Sequence, residues 1–160
     1  MTDKPKTDIW EPLRFLLGKW TGTCTGKPGI GVVEREFRLV LSDRYIQSIG
    51  RTVFEPQEKN PDGEVHEELA LFSFDQERKL YVYREFLTEG FVSRYLLEPP
   101  EAGATRLAMT TEAIENVPPN WVARLTLMIE GPNAFEETFE LKGPNNDWDC
   151  YTTSKLQRAK

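Results

Sequence analysis

A chain of 160 residues with a formal net charge of −6 is most simply one domain, 1–160, able to bury roughly two-thirds of the surface its unfolded form exposes. Its acidic and basic residues are interspersed, with no Lys/Arg stripe such as a phosphate backbone requires, which argues against nucleic acid as a partner. No apolar run approaches the roughly 18 residues of a membrane span, MTDKPKTDIW lacks the apolar core of a secretory signal, and Cys24 and Cys150 are too few for a disulfide scaffold or zinc cluster, so the expected setting is the cytoplasm, with reduced thiols.

Residues 1–7 read as a flexible tail. Asp8 followed by Glu11 has the spacing of a capping box, and Pro12 is tolerated only near the first turn of a helix. Leu13, Leu16 and Leu17 then fall on one helical face before Gly18 ends it. No other stretch keeps a helical period. From Lys19 onward short alternating runs are separated by turn chemistry: KWTGTCTG, VVEREFRLVL, YIQSIGRTVF, VHEELALFSF, LYVYREF, FVSRYLLE, TRLAMTTE, WVARLTLMIE, AFEETFELK and WDCYTTSKLQ. About ten strands with mostly short turns predict antiparallel pairing of sequential neighbours.

Ten meandering strands in one open sheet leave two long edges, and closure removes them. The fold class expected is therefore all-β: a closed antiparallel meander barrel of about ten strands, with the one short N-terminal helix plugging one end. A barrel of that width tends to keep an internal cavity. Parity sorts the faces: Val33, Phe37, Leu39 and Leu41 share one, with Arg35 among them; Ile46, Ser48 and Gly50 oppose Tyr45, Gln47, Ile49 and Arg51; Leu69 and Leu71 alternate with His66, Ala70, Phe72 and Phe74; Phe91, Ser93 and Tyr95 share a face, as do Phe135, Phe139 and Leu141. Several strands are apolar on both faces, so the period leaves the inward set open.

Four arginines, Arg35, Arg51, Arg84 and Arg124, sit within apolar strands. An inward one would hold a ligand carboxylate by a bidentate contact, and Tyr95 is a second candidate anchor; an outward, solvated arginine is the competing reading for each. His66, the only histidine, stands among Glu64, Glu67 and Glu68 in GEVHEELALF. It is a candidate metal ligand, or a residue at a pocket rim. Cys150 is the other candidate metal ligand, against the reading of a small hydrophobe. The carboxylates of EREFR, HEE and FEETFE read as solvated faces, and no nucleophile elbow, P-loop or dinucleotide fingerprint is present. No catalytic residue is assigned.

LRFLLGKWTGTCTG, residues 13–26, resembles the opening of calycin barrels, the lipocalin and fatty-acid-binding-protein-like group. In these a Gly-x-Trp-x-Gly follows the helix, and the Trp closes the plugged end against a basic residue of the last strand. Gly18, Trp20 and Gly22 match that signature, and Arg158 is the implied partner of Trp20, with Lys155 as the alternative. Within the calycins the chain is similar to the nitrobindin group, haem-binding ten-stranded barrels that also form the C-terminal domain of a THAP protein. LLGKWTG, NPDGEVHEELALFSFD and the strand-forming C-terminus carry that likeness. The TYP motif of the group is replaced here by KPGIGVVERE. The resemblance places His66 where the group has a fourth-strand histidine near the haem edge. Where the group has its iron-ligating last-strand histidine, WDCYTTSKL offers Cys150, flanked by Asp149 and Tyr151. A bacterial family of uncharacterised barrels with a similar LxGxWxG start is a looser relative.

The function expected is a small carrier or sensor that binds a hydrophobic small molecule in an internal pocket, either haem, as the resemblance implies, or a fatty-acid-like anion. Without the last-strand histidine, haem would have to use His66 or Cys150. The alternatives are an enzyme working in the same pocket, through haem-dependent peroxynitrite isomerisation or cofactor-free acid–base chemistry, and a filled barrel with no ligand. Monomer and homodimer both remain open.

Overall fold

A computed structural model describes residues 7–160; the tail expected over 1–7 lies outside these, except for the exposed Thr7. Glu11–Leu16 forms the helix as a 3₁₀ turn, six residues being short enough for the tighter winding. The capping box does not form. Trp10 occupies the N-cap without a side-chain cap, and Asp8 instead accepts the Trp10 N–H at 3.0 Å and pairs with the Arg14 side chain.

Ten strands follow: β1 Gly18–Gly26, β2 Gly29–Val40, β3 Tyr45–Phe54, β4 Glu64–Asp75, β5 Leu80–Leu87, β6 Val92–Leu97, β7 Arg106–Glu115, β8 Val122–Ile129, β9 Ala134–Lys142 and β10 Asp149–Arg158. Each pairs antiparallel with its chain neighbours, and β1 closes on β10 to complete a barrel. Closure leaves no unpaired edge among them. Local chemistry sets the reversals. Gly29, at φ 109°, follows the Lys27–Pro28 turn. The Asp75 carboxylate accepts the N–H groups of Glu77 and Arg78, both at 3.0 Å, to hold the β4–β5 turn. Leu41, which parity groups on one face with Val33 and Phe37, belongs to the β2–β3 turn at φ 52° and is 70% exposed. Phe91, expected on the face of Ser93 and Tyr95, precedes β6 and is also exposed.

Parity, resolved by burial, points Val33, Arg35 and Phe37 of β2 inward with Ile46, Ser48 and Gly50 of β3, and leaves Ile49 and Leu69 outside. The plugged end is sealed. Leu13, Leu16, Trp20, Ile46, Phe72 and Phe135 are all at or below 1% exposure, and Phe135 meets the Trp20 ring edge-on at 4.7 Å. Truncating Leu13 or Leu16 to Ala would cost about 2–5 kcal/mol, as for buried leucines generally. Trp10 covers the same end, donating from Nε1 to the Asp43 carbonyl at 2.8 Å, whereas Trp121 stays 38% exposed.

Candidate functional site

The opposite end is sealed less completely. His66 on β4, Ile114 on β7 and Glu137, Phe139 and Leu141 on β9 are only partly buried there, although Ile114, Phe139 and Leu141 pack on the core cluster. Between this mouth and the sealed end lies a polar layer, centred on Arg35.

Arg35 is paired across the ladder with Gly50, and Gly50 with Glu68. Because Gly50 has no side chain, Glu68 lies over it; a Cβ there would come within 2.7 Å of the Glu68 Cγ. Glu68 Oε1 thus reaches Arg35 Nε at 2.6 Å. Glu137, three strands away round the barrel, accepts from Arg35 Nη1 at 2.7 Å. The Nε contact is an ion pair without hydrogen-bond alignment, and both of its atoms, together with the hydroxyl of the fully buried Ser48, have no hydrogen-bond partner. Burial works against the charge of Arg35, but Glu137 and Glu68 outweigh it and hold the guanidinium protonated.

Glu85 on β5 completes the layer. It is 6% exposed, and burial, reinforced by Glu68 and Glu137, pushes its carboxyl well above the usual carboxylate range. Across the β4–β5 ladder Glu85 is paired with Ala70, two residues along β4 from Glu68. Burial likewise raises the hydroxyls of Tyr83 and Tyr95, with Glu85 the next cause for both. Their rings, 6.0 Å apart, form an aromatic wall with Phe72, 4.3 Å from Tyr83. Ser93 faces Glu85 across the ladder, and Cys24, buried so that its thiol is pushed up, faces Ser154.

Of the candidate residues, the structure brings Arg35 and Tyr95 into this interior. His66 stands at the mouth, its Nδ1 2.7 Å from Glu89 Oε1 and its Nε2 4.0 Å from Glu68 Oε2. The other arginines lie outside, because their strands turn the opposite parity inward. Arg51 is exposed, 3.9 Å from Glu67; Arg84 is exposed and donates to Ser73 Oγ at 3.1 Å; Arg124 forks onto Glu140 at 2.8 and 3.0 Å and stacks on Trp148. Cys150 is exposed at the start of β10, beside the register shift before Thr152. At the plugged end Arg158 stacks on Trp20, Gly18 at φ 119° makes room for the guanidinium, and Gly22 lets β1 approach the Lys155 backbone. Lys155, the alternative partner of Trp20, is exposed.

Dense charge in HEE and FEETFE predicts solvated faces, but the structure turns Glu68 and Glu137 towards the interior. A parity argument identifies them: Glu68 shares the face of Ala70 and Phe72, Glu85 that of Tyr81 and Tyr83, and Glu137 that of Phe135 and Phe139.

These donors do not fit a haem held from the interior. Both His66 nitrogens face carboxylates, Cys150 is outside, and the interior thiol, Cys24, is held neutral by burial. Among the described residues, no group of three or more His, Cys, Asp or Glu is arranged to hold a metal ion; the centre of the carboxyl layer is occupied by Arg35. Two grooves open to solvent lie elsewhere, one of about 630 Å³ between β6 and β7, bordered by Leu96, Pro99 and Thr110, and one of about 400 Å³ over β1–β3, bordered by Lys19, Glu34 and Arg51.

No protein-family model matches the chain, and no curated protein matches it. Among solved structures, Rv2717c from M. tuberculosis is similar at a TM-score of 0.73 and 14% identity, over 96% of this chain and 99% of that one. A redesigned beta barrel (TM-score 0.47, 13% identity, 96% of this chain and 100% of that one) and EF1p2_mFAP2b bound to DFHBI (0.49, 13%, 95% and 100%) are more distant in shape. At 14% identity the first likeness concerns the fold alone, a closed antiparallel barrel. No helix among the described residues is long and apolar enough to cross a membrane.

Proposed function

We propose that the protein is a small cytoplasmic carrier or sensor that takes a largely apolar molecule into the barrel from the mouth beside His66. One observation carries this reading. Inward-facing side chains at that end keep accessible surface, with Glu137 at 15%, while those at the plugged end have almost none. An apolar wall with a few convergent polar groups is the usual composition of a small-molecule site. The aromatic residues Phe72, Tyr83 and Tyr95 would contact the ligand body, Arg35 and its carboxyls its polar end, and His66 the rim. The nitrobindin resemblance enters at the level of the barrel and its interior, and its haem chemistry is not carried over. Mass spectrometry of an organic extract of the purified protein tests the reading, together with thermal melts of the extracted protein against a panel of apolar compounds. A ligand at a hundred times its dissociation constant should stabilise the fold by about 2.7 kcal/mol. If nothing copurifies and no compound raises the melting temperature, the interior is not a binding site.

A second reading, a cofactor-free acid–base enzyme in the same interior, is favoured by Glu85, which is 6% exposed and whose carboxyl burial pushes well above the usual range. A carboxyl raised in this way can serve as a general acid beside a second carboxyl acting as base. This reading predicts that carbon-bound protons of the captured ligand exchange with deuterium from heavy water, and that Glu68→Gln stops the exchange. Retention of every proton would rule it out.

A further inference from the structure

The charge balance of the interior layer says what kind of polar head it holds. One guanidinium faces three carboxyls. Two of its nitrogens, Nε and Nη1, are already turned to Glu68 and Glu137, so the positive charge that a carboxylic acid would seek is taken. A ligand carboxylate would have to enter beside the largely desolvated carboxyls of Glu68 and Glu137, where like-charge repulsion is stronger than in water. Carboxyl oxygens, by contrast, outnumber the guanidinium donors that face them: Glu68 Oε1 has no hydrogen-bond partner although Arg35 Nε, itself without one, lies 2.6 Å away, and the completely buried Ser48 Oγ has none either. Ser48 points inward two residues along β3 from Gly50, the position over which Glu68 lies. An unpaired buried hydroxyl is unfavourable, and a donor brought in by a ligand would relieve it.

On the basis of the interior site proposed above, we propose that this site takes a molecule with a protonated amine head, seated among Glu68, Glu85, Glu137 and the Ser48 hydroxyl, with its apolar body against the aromatic wall. An ammonium brings three donors and no acceptor, which matches a layer with spare acceptors and excess negative charge. The groups facing Glu85 are Arg35 on β2, Glu68 on β4, Tyr83 on its own strand, Tyr95 on β6 and Glu137 on β9, with His66 approaching Glu68 from the mouth. Arg35 is the only cation among those that face it within the layer. A second cation would favour ionised Glu85, so amine binding should expel its proton to solvent.

The test is titration calorimetry of the full chain, after organic extraction, with octylammonium, 1-octanol and octanoate, in two buffers of different ionisation enthalpy. The amine is expected to bind at least about tenfold tighter than octanoate, with a heat that depends on the buffer in the sense of proton release and an affinity that rises with pH. Glu85→Gln, which copies the shape of the neutral acid and should preserve the fold, is expected to abolish the proton release and weaken the amine by about tenfold, several times more than it weakens octanol. Octanoate binding as tightly as the amine would overturn the amine assignment and leave the interior site standing. Amine binding indifferent to Glu85→Gln would place the amine on the acidic exterior and also overturn the assignment. If none of the three binds, the interior site falls, and the assignment with it.

Discussion

The Arg158 guanidinium carbon lies 4.4 Å from the centroid of the Trp20 ring, and the two residues are direct cross-strand partners where β1 closes on β10. The same guanidinium donates to the carbonyls of Leu17 at 2.7 Å, Phe15 at 2.8 Å and Pro132 at 2.9 Å, while Trp20 Nε1 donates to Leu16 at 2.6 Å. Together they close the barrel and satisfy the carbonyls at the C-terminal end of the 3₁₀ turn.

Arg158→Ala should therefore lower unfolding stability by about 3 kcal/mol, combining a cation–π contact with charge-assisted hydrogen bonds. Arg158→Lys keeps the charge and loses the fork, so an intermediate loss is expected. Urea denaturation of the three proteins measures both, and a loss below about 0.5 kcal/mol for the alanine variant, the range of ordinary surface substitutions, would contradict the closure role.

Gly50 is required by the site. A methyl there meets the Glu68 side chain, which cannot swing aside without leaving Arg35. Gly50→Ala is expected to cost about 1–3 kcal/mol, the range for overpacking a fitted interior. Its effect should be non-additive with Glu68→Ala, since the two act on one contact. Additive losses in a denaturation cycle would show that Gly50 serves the strand alone.

Glu85 gives a pH dependence of definite sign. Its folded carboxyl titrates well above the unfolded one, so its favourable contribution is complete below the unfolded value and is lost as pH rises through the folded value. Glu85→Gln removes that loss. Relative to the parent, the variant should gain stability steadily from about pH 5 upward until Glu85 is fully ionised. Denaturation of both proteins at pH 5.5, 7 and 8.5 follows the difference, and a parent–variant gap constant with pH would mean Glu85 is not held neutral. Surface acids paired with arginine, such as Glu112 and Glu140, titrate lower than usual and act oppositely, their contribution fading as pH falls.

The thiols should separate in reactivity. Cys150 is exposed, and Cys24 is 4% exposed with its thiol pushed up by burial. A thiol-specific chromogenic reagent is expected to label one group per native chain and the second only after unfolding, because the thiolate is the reacting form. Two fast thiols, or none, would contradict this placement.

His66→Ala should alter stability by less than about 1 kcal/mol, since its contacts to Glu89 and Glu68 are partly solvated. A larger loss in the melt would mean that the mouth is part of the core.

Turn chemistry and two-residue alternation, read along the chain, suffice to determine ten strands, their antiparallel order and the need for closure, because these depend on backbone hydrogen bonding between neighbours. The Gly-x-Trp-x-Gly opening and Arg158 located the plugged end. Alternation separates each strand into two faces without saying which is inside. Arg35, Arg51, Arg84 and Arg124 therefore looked equivalent, and only the closed barrel turned Arg35 inward. Glu68, Glu85 and Glu137 come from three strands, separated along the chain by as many as 69 positions, and no local pattern marks them as a group. Their meeting, and with it the weakened acidity of Glu85 and the excess of carboxyls round Arg35, follows from closure and strand register. Burial and electrostatic coupling depend on neighbours in space, and the tertiary structure supplies those.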